Sequence, residues 1–168
     1  AGQSFHLSGD NIYANPGRDD DGKFVHSAQS GLETDRSDYV LGAYIAPTDS
    51  FRILSQNRFD QDDLQLMRNN TGVQYSYGPF DGTVIYAYTA GATLVDDEVE
   101  QQELQSSLQV QLTEQWSLGA GMRYDLDDER LLSDFLSVKY ADECFVLTAT
   151  YSESYYNSAT IQDDRTLM

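Results

Sequence analysis

Apolar and polar residues alternate with a period of two in the second half of the chain. From residue 104 to residue 112 apolar side chains occupy most even positions, and glutamine or serine occupies the odd ones. After Thr113, Glu114 and Gln115 the alternation resumes from Trp116 to Leu126. Because a strand places successive side chains on opposite faces, this period predicts two strands joined by a tight turn.

The same alternation continues through most of the chain, and no helical period competes with it. It predicts about eight full strands after Ser37, a partial strand near Gln3 to Leu7 and the start of another at Arg165. Most predicted strands run roughly 9 to 12 residues, longer than the ~5 to 6 usual in globular proteins and close to what a tilted strand needs to cross a bilayer. The further apolar positions are Tyr39, Leu41, Ala43, Ile45, Phe51, Ile53, Val73, Tyr75, Tyr77, Val84, Tyr86, Tyr88, Leu132, Leu136, Val138, Tyr140, Phe145, Leu147, Ala149 and Tyr151.

The predicted connections fall into two alternating sets. Short, turn-like connections occur at residues 46–50, 78–81, 113–115 and 141–143. The other set is generally longer and rich in Asp and Glu, at residues 10–36, 60–63, 92–99, 127–130 and 154–164. We therefore predict an all-β fold, an antiparallel up-and-down meander with the pattern of a transmembrane outer-membrane β-barrel.

The positions of the polar residues agree with a barrel that has a wet interior. An Arg or Lys that faces lipid near the bilayer midplane costs ~2 to 4 kcal/mol, so these residues should face the lumen. The predicted lumen-facing residues are Arg52, Arg58, Arg68, Gln109, Arg123, Asp125 and Lys139. The predicted lipid-facing residues are Leu108, Val110, Leu118, Met122, Val138 and Leu147. Tyrosines and Trp116 near strand ends fit interfacial girdles.

A soluble β-sandwich also has alternating strands and polar outer faces. Such a domain would act as a secreted carbohydrate-binding or adhesive module, with exposed aromatic rings stacking on sugars. Periodicity does not separate the two folds. Strand length, the two sets of connections and the positions of the Arg residues favour the membrane barrel.

Composition excludes several classes of function. With 28 acidic and 10 basic residues the formal charge is −18, which disfavours nucleic-acid binding. The 12 Tyr, 7 Phe and 1 Trp exclude a disordered chain. We expect no signal peptide and no transmembrane helix. His6 and His26 lack companions for catalysis or zinc binding, and the acidic clusters lack the spacing of a calcium loop, so we predict no enzymatic activity, no cofactor and no metal site.

Several segments resemble the C-terminal barrel of the LptD family, the lipopolysaccharide-assembly or organic solvent tolerance proteins of the outer membrane. They are RSDYVLGAYIAP (36–47), RFDQDDLQLMRNNTGVQYSYGPF (58–80), LTEQWSLGAGMRYDLDDERLLSDFLSVKYADECFVLTATYSESYY (112–156) and QDDRTLM (162–168). The resemblance implies that residues 1–168 are one part of a larger barrel, with a final strand truncated after Met168. It also implies insertion of lipopolysaccharide into the outer leaflet of the outer membrane of a Gram-negative cell. The implied partners are lipopolysaccharide, the LptE lipoprotein plug and, through a missing N-terminal domain, a periplasmic LptA-type bridge.

The resemblance gives the single cysteine a role. Cys144 lies in a predicted short turn, where cysteines of this family form disulfides to the periplasmic region. Some relatives carry two adjacent cysteines there, whereas this chain has Glu143-Cys144, so the number and pairing of the bridges stay open. A buried free thiol is the alternative. The resemblance also implies that the short turns face the periplasm and the acidic loops face outward.

Overall fold

The computed structural model describes residues 1–11, 13–14, 17–18, 24–26, 30–93, 98–155 and 164–167. Its strands are β1 (Gly17–Arg18), β2 (Phe24–His26), β3 (Tyr39–Thr48), β4 (Phe51–Phe59), β5 (Leu66–Tyr77), β6 (Phe80–Thr93), β7 (Glu98–Gln111), β8 (Trp116–Asp125), β9 (Arg130–Ala141), β10 (Val146–Ser154) and β11 (Asp164–Leu167). Within the described residues no helix is long and apolar enough to span a bilayer.

The strands form a meander. Strands β11 to β3 make a nine-stranded sheet in which each strand pairs with its neighbours in sequence, and β1 and β2 make a separate two-stranded sheet. The pairs β7–β8, β8–β9, β9–β10 and β10–β11 are antiparallel. The eight strands β3 to β10 confirm the predicted all-β antiparallel meander.

The residues group into two compact units. The first comprises Ala1–Ala43, Ser55–Asn70 and Tyr88–Gln101, and the second comprises Tyr44–Leu54, Thr71–Ala87 and Gln102–Met168. The second unit contains the turns between β3 and β4, β5 and β6, β7 and β8, and β9 and β10. Each unit is described below by itself.

Acidic and hydroxyl side chains build four of the turns in the same way. The side-chain oxygen of the first turn residue accepts hydrogen bonds from the backbone N–H groups two and three residues later, which replaces ladder bonds lost at the reversal. Asp60, Thr113, Asp125 and Asp142 do this, at donor–acceptor distances from 2.7 to 3.3 Å. Part of the acidic character of the connections is therefore turn chemistry.

The partial strand predicted near Gln3 to Leu7 was wrong. Residues 3–7 form no continuous strand, because only the isolated bridges Gly2–Val40 and Phe5–Arg36 are present. Between these bridges the Ser4 N–H donates to the Ser37 hydroxyl oxygen and not to a backbone carbonyl, so the backbone ladder between the two segments is interrupted. The short strands β1 and β2 lie within residues 10–36, where the sequence predicts a long acidic loop, and that loop stays a prediction. Strands β6 and β7 extend into residues 92–93 and 98–99, so the connection between them is shorter than predicted.

The described residues contain no buried hydrophobic side chain. Leu108, Leu118 and Leu147 are 48%, 36% and 53% exposed, although all three lie within or at the start of full strands. A β-sandwich requires such residues to be enclosed between two layers. The soluble-sandwich alternative therefore does not describe this chain.

Candidate functional site

The register of strands β7 to β10 sorts their side chains onto two faces. One face, here called the polar face, takes odd residues of β7 and β8, odd residues of β9 from Ser133 onward and even residues of β10. A register shift near the start of β9 places Arg130 on the same face, opposite Asp125. The polar face carries a cross-strand row of Gln111, Ser117, Lys139 and Thr148 and a second row of Gln109, Gly119, Ser137 and Thr150. Thus Gln109, Arg123, Asp125 and Lys139, all predicted to face a lumen, share one face of the sheet.

The opposite face, here called the apolar face, takes even residues of β7 and β8, even residues of β9 from Asp134 onward and odd residues of β10. Its rows are Val110, Leu118, Val138 and Ala149, then Leu108, Ala120, Leu136 and Tyr151, and then Trp116, Tyr140 and Leu147. Met122 lies on the same face, opposite Ser106. The six residues predicted to contact lipid therefore share this face, and their contact with lipid stays a prediction.

Aromatic rings lie together at the turn end of the apolar face. The ring centroids of Trp116 and Tyr140 are 5.0 Å apart, and those of Tyr140 and Phe145 are 6.4 Å apart. These are the separations of favourable aromatic pairs. Amphipathic rings in this position suit a boundary between hydrocarbon and water.

Two basic residues of the polar face, Arg123 and Arg130, are paired with acids. Arg123 Nη2 donates to Glu103 Oε2 at 2.7 Å, and Arg130 Nη2 lies 3.6 Å from Asp125 Oδ2. Asp125 also accepts the turn hydrogen bonds described above, so it is a structural as well as a charged residue. The partner of Arg123 is therefore Glu103 on β7 and not the nearby Asp125, which pairs with Arg130.

The first unit contains a more buried ion pair. Arg58 Nε lies 3.2 Å from Asp38 Oδ2, with side-chain exposures of 14% and 12%. The N–H of Arg58 Nε nevertheless has no acceptor in hydrogen-bond geometry. Burial raises the pKa of Asp38, and the Arg58 guanidinium opposes this shift. The sequence identified Arg58 but not Asp38, which precedes β3 and falls outside the alternation.

Arg52 and Arg68 are exposed in β4 and β5. Within the described part of the chain, neither they nor Lys139 have an acidic group at ion-pair distance. Of the bases predicted to face a lumen, these three therefore remain available to an anionic ligand, because no carboxylate among the described residues neutralises their charges.

An aromatic residue lies on the polar face against two glycines. Phe135 is opposite Gly121 in the register. A Cβ added to Gly121 would lie 2.5 Å from Phe135 Cε1 and 2.8 Å from the Ser106 carbonyl oxygen, so only glycine fits there. A Cβ on Gly119 would lie 2.5 Å from Ser137 Oγ. The sequence signal was the Gly-x-Gly spacing within an otherwise regular strand.

An acid interrupts the apolar face. Asp134 lies between Met122 on β8 and Glu153 on β10, in a row that the alternation alone would make apolar. One oxygen of Asp134, Oδ1, is buried without a hydrogen bond. Tyr155 follows β10, and burial together with a hydrogen bond to Asp134 raises its pKa to about 12. The sequence interpretation did not single out either residue.

The single cysteine lies in an ordered turn. Cys144 is exposed and free in this chain, and its backbone N–H donates to Asp142 Oδ1 at 2.9 Å. This bond, with a second from the Tyr140 hydroxyl to Asp142 Oδ2 at 3.0 Å, lowers the pKa of Asp142. The thiol is therefore not buried, contrary to the alternative of a buried free thiol. A disulfide stays a prediction.

Three acidic clusters of the sequence, at residues 19–21, 96–98 and 163–164, lie wholly or partly outside the described residues. The fourth, Asp127-Asp128-Glu129, is occupied by hydrogen bonds. Asp127 accepts the backbone and side-chain amides of Gln102, and Asp128 pairs with Arg130. Among described residues there is no group of three potential metal-ligating acids, His or Cys.

Comparison with known proteins agrees with the two-faced sheet. The sequence profile of a family described as LPS transport system D, LptD, matches residues 1–92, which is just over half of the chain. The LPS-assembly protein LptD of Burkholderia lata is 27% identical over 126 residues, covering 73% of this chain and 16% of that protein. The protein of the same name from Burkholderia cenocepacia is 24% identical over 148 residues, covering 86% of this chain and 17% of that protein.

The profile match includes the first two segments that carried the resemblance, and the segment from residue 112 to residue 156 lies beyond it. The chain spans about a sixth of the length of the curated relatives it matches. The chain belongs to the LptD family.

Proposed function

We propose that this chain forms part of the wall of an outer-membrane β-barrel that delivers lipopolysaccharide to the outer leaflet. The observation that carries the proposal is the two-faced sheet, together with the finding that no hydrophobic side chain among the described residues is buried. Hydrocarbon would cover the apolar face, whose exposure to water would otherwise be unfavourable. An aqueous lumen would solvate the polar face. The relatives named above, LPS-assembly proteins, support this role.

Arg52, Arg68 and Lys139 suit contact with an anionic substrate, because no neighbouring carboxylate neutralises them. Lipopolysaccharide carries phosphate groups, and Arg and Lys bind phosphate through charge-assisted hydrogen bonds. We include in this proposal the LptE lipoprotein plug and a periplasmic LptA-type bridge as partners of the whole protein. The location is the outer membrane of a Gram-negative cell.

Sidedness is tested by two adjacent positions on β10. Ala149 and Thr148 are both exposed, on the apolar and the polar face respectively. In a barrel Ala149→Arg should block assembly, because an Arg facing mid-bilayer costs ~2 to 4 kcal/mol, and Thr148→Arg should assemble. The readout is the amount of folded, full-length protein in the outer membrane. Equal assembly of the two variants would contradict the proposal, since a soluble protein tolerates Arg at both exposed positions.

Transport is tested by charge reversal. The double substitution Arg68→Glu and Lys139→Glu should slow the appearance of lipopolysaccharide at the cell surface and raise detergent sensitivity. Arg36→Glu, in an exposed segment before β3, is the control for net charge. Unchanged surface lipopolysaccharide in an assembled double variant would remove the substrate role of these bases.

The disulfide is tested on the same full-length protein. If Cys144 is oxidised to a cysteine of the periplasmic region, a non-reducing gel should show a mobility shift that reductant abolishes, and Cys144→Ser should lose the shift linked to this residue. The ordered turn would present the thiol without rearrangement. A Cys144 that reacts fully with a thiol reagent before reduction would exclude the bridge.

A further inference from the structure

A groove crosses four strands of the second unit on the apolar face. It has a volume of about 570 Å³ and extends from β5 to β8. Its walls are Tyr75, Val84, Leu108 and Met122. The volume falls within the ~300 to 1,000 Å³ typical of small-molecule sites.

Small residues open the groove down to the backbone. Gly82, Ser106 and Ala120 line it from β6, β7 and β8. In the register Ser106 lies opposite Met122 and Ala120 lies opposite Leu108, so each of these two small residues faces a larger apolar one. Where these side chains are short, backbone of Ser107 and Gly121 contributes to the lining. The small residues therefore form the floor of the groove, and the larger apolar side chains rise on either side of it.

Packing within the chain does not explain the glycine at position 82. A Cβ added there would lie 3.7 Å from Leu108 Cδ1 and 3.9 Å from the nearest carbonyl oxygens, which are ordinary contacts. Its backbone does not have positive φ either. At Gly121, by contrast, a Cβ would overlap Phe135. A glycine in a strand interior weakens the strand, and it often marks the close approach of a ligand.

The lining restricts the chemistry of the occupant. No charged side chain lines the groove, and its polar groups are limited to hydroxyl and backbone groups. A headgroup, a saccharide or a phosphate would therefore lack an ionic partner. The walls Leu108 and Met122 belong to the apolar face that the proposed function places against hydrocarbon, so the groove is continuous with that surface.

Resting on the proposed function, we propose that this groove holds one acyl chain of a membrane lipid in a fixed position on the outside of the barrel. The chain lies across β6 and β7 at Gly82 and Ser106, between the side chains of Leu108 and Met122. Elsewhere on the apolar face, as at Leu136, lipid chains exchange freely.

The test uses full-length protein in phospholipid vesicles that contain a phospholipid with a photoreactive group in its acyl chain. Adducts are mapped by mass spectrometry after illumination. Leu136 is the matched control, because it shares a row with Leu108 through Ala120 and the two are 56% and 48% exposed. Adducts at Leu108 and Met122 should exceed those at Leu136 several-fold.

A second variant makes the result specific. Gly82→Leu fills the groove from its floor, so it should remove the excess at Leu108 and leave Leu136 unchanged. Equal labelling of Leu108 and Leu136, or an excess that survives Gly82→Leu in folded protein, would overturn the acyl-chain site. If no adducts form at Leu108, Met122 or Leu136, the result would instead contradict the proposed contact of the apolar face with lipid.

Discussion

Two Arg–carboxylate pairs in this chain have opposite combinations of geometry and burial. Arg123 and Glu103 meet at 2.7 Å in a hydrogen bond, with side-chain exposures of 49% and 31%. Arg58 and Asp38 are 3.2 Å apart without hydrogen-bond geometry at Nε, with exposures of 14% and 12%. The better geometry therefore occurs where water already solvates both charges.

Burial, more than hydrogen-bond geometry, determines which of the two ion pairs the stability of the fold depends on. An exposed pair contributes ~0 to 1 kcal/mol, because water and salt screen it. Removing one partner of a buried pair costs ~3 to 5 kcal/mol, because the other charge is left uncompensated. Segment 30–38 lies against Arg58, with the Asp38 N–H donating to the Gly31 carbonyl at 2.9 Å. We infer that Arg58 holds this segment onto β4, whereas Arg123 mainly sets the local charge.

The largest expected effect is that of Arg58→Met, which keeps the apolar stem and removes the charge. Leaving the Asp38 carboxylate buried and unpaired should destabilise the closed segment by ~3 kcal/mol, or raise its opening equilibrium roughly a hundredfold. Hydrogen exchange at the Ser37 and Asp38 amides of the full-length protein measures this. Arg123→Met is the control and should leave exchange in β7 and β8 nearly unchanged. If Arg123→Met raised exchange in β7 and β8 as much as Arg58→Met raises it at Ser37 and Asp38, the two ion pairs would not differ in their contribution to stability.

Gly31→Ala should have the next largest effect. Gly31 has φ +74°, and an added Cβ would lie 2.7 Å from Asp38 Oδ2 and 3.1 Å from Arg58 Cδ. The left-handed backbone alone costs an L-residue roughly 1 to 2 kcal/mol. Gly9→Ala is the matched control, because Gly9 has φ +93° but nothing within 4 Å of its added Cβ. If the added Cβ contacts Asp38 and Arg58, hydrogen exchange should increase more at Asp38 in Gly31→Ala than at Gly9 in Gly9→Ala. Equal increases in the two variants would show that the whole effect comes from the left-handed backbone.

The alternation predicted the sheet because each of its strands repeats the same two-residue signal, as at Leu108, Val110, Leu118 and Val138. It also placed Gln109, Arg123 and Lys139 on one face. The exceptions depend on contacts between distant residues. Phe135 belongs to the polar face because Gly121 leaves room for its ring, and a period of two does not reveal that the two residues are neighbours.

The ion pair of the first unit was hidden for the same reason. Asp38 comes after a long acidic segment in which many carboxylates look equivalent, and only the fold brings it to Arg58, twenty positions along the chain. The partner of Arg123 was also open, since the neighbouring Asp125 forms the turn and pairs with Arg130.

A smaller effect concerns pH. Burial raises the pKa of Asp38 above its ordinary value of 3.8, so the closed segment binds a proton more readily than the open one. Its stability should be greatest below pH 3.8, decrease as the pH rises through the raised pKa and be constant above it. Hydrogen exchange at Ser37 across this range, referenced to Asp38→Asn at each pH, measures the change. A closed segment that gains stability as the pH rises would contradict this assignment.

The smallest expected effect belongs to the exposed pair. A double-mutant cycle of Arg123→Ala and Glu103→Ala should give a coupling free energy of at most ~1 kcal/mol, because both side chains are substantially solvated. Salt should reduce it further, since the Debye length is only ~3 Å at 1 M. The measurement is urea unfolding of the refolded protein in detergent at low and high salt. A coupling of several kcal/mol that resists salt would show that the polar face is far less hydrated than the exposure of Arg123 indicates, and it would remove the contrast with Arg58.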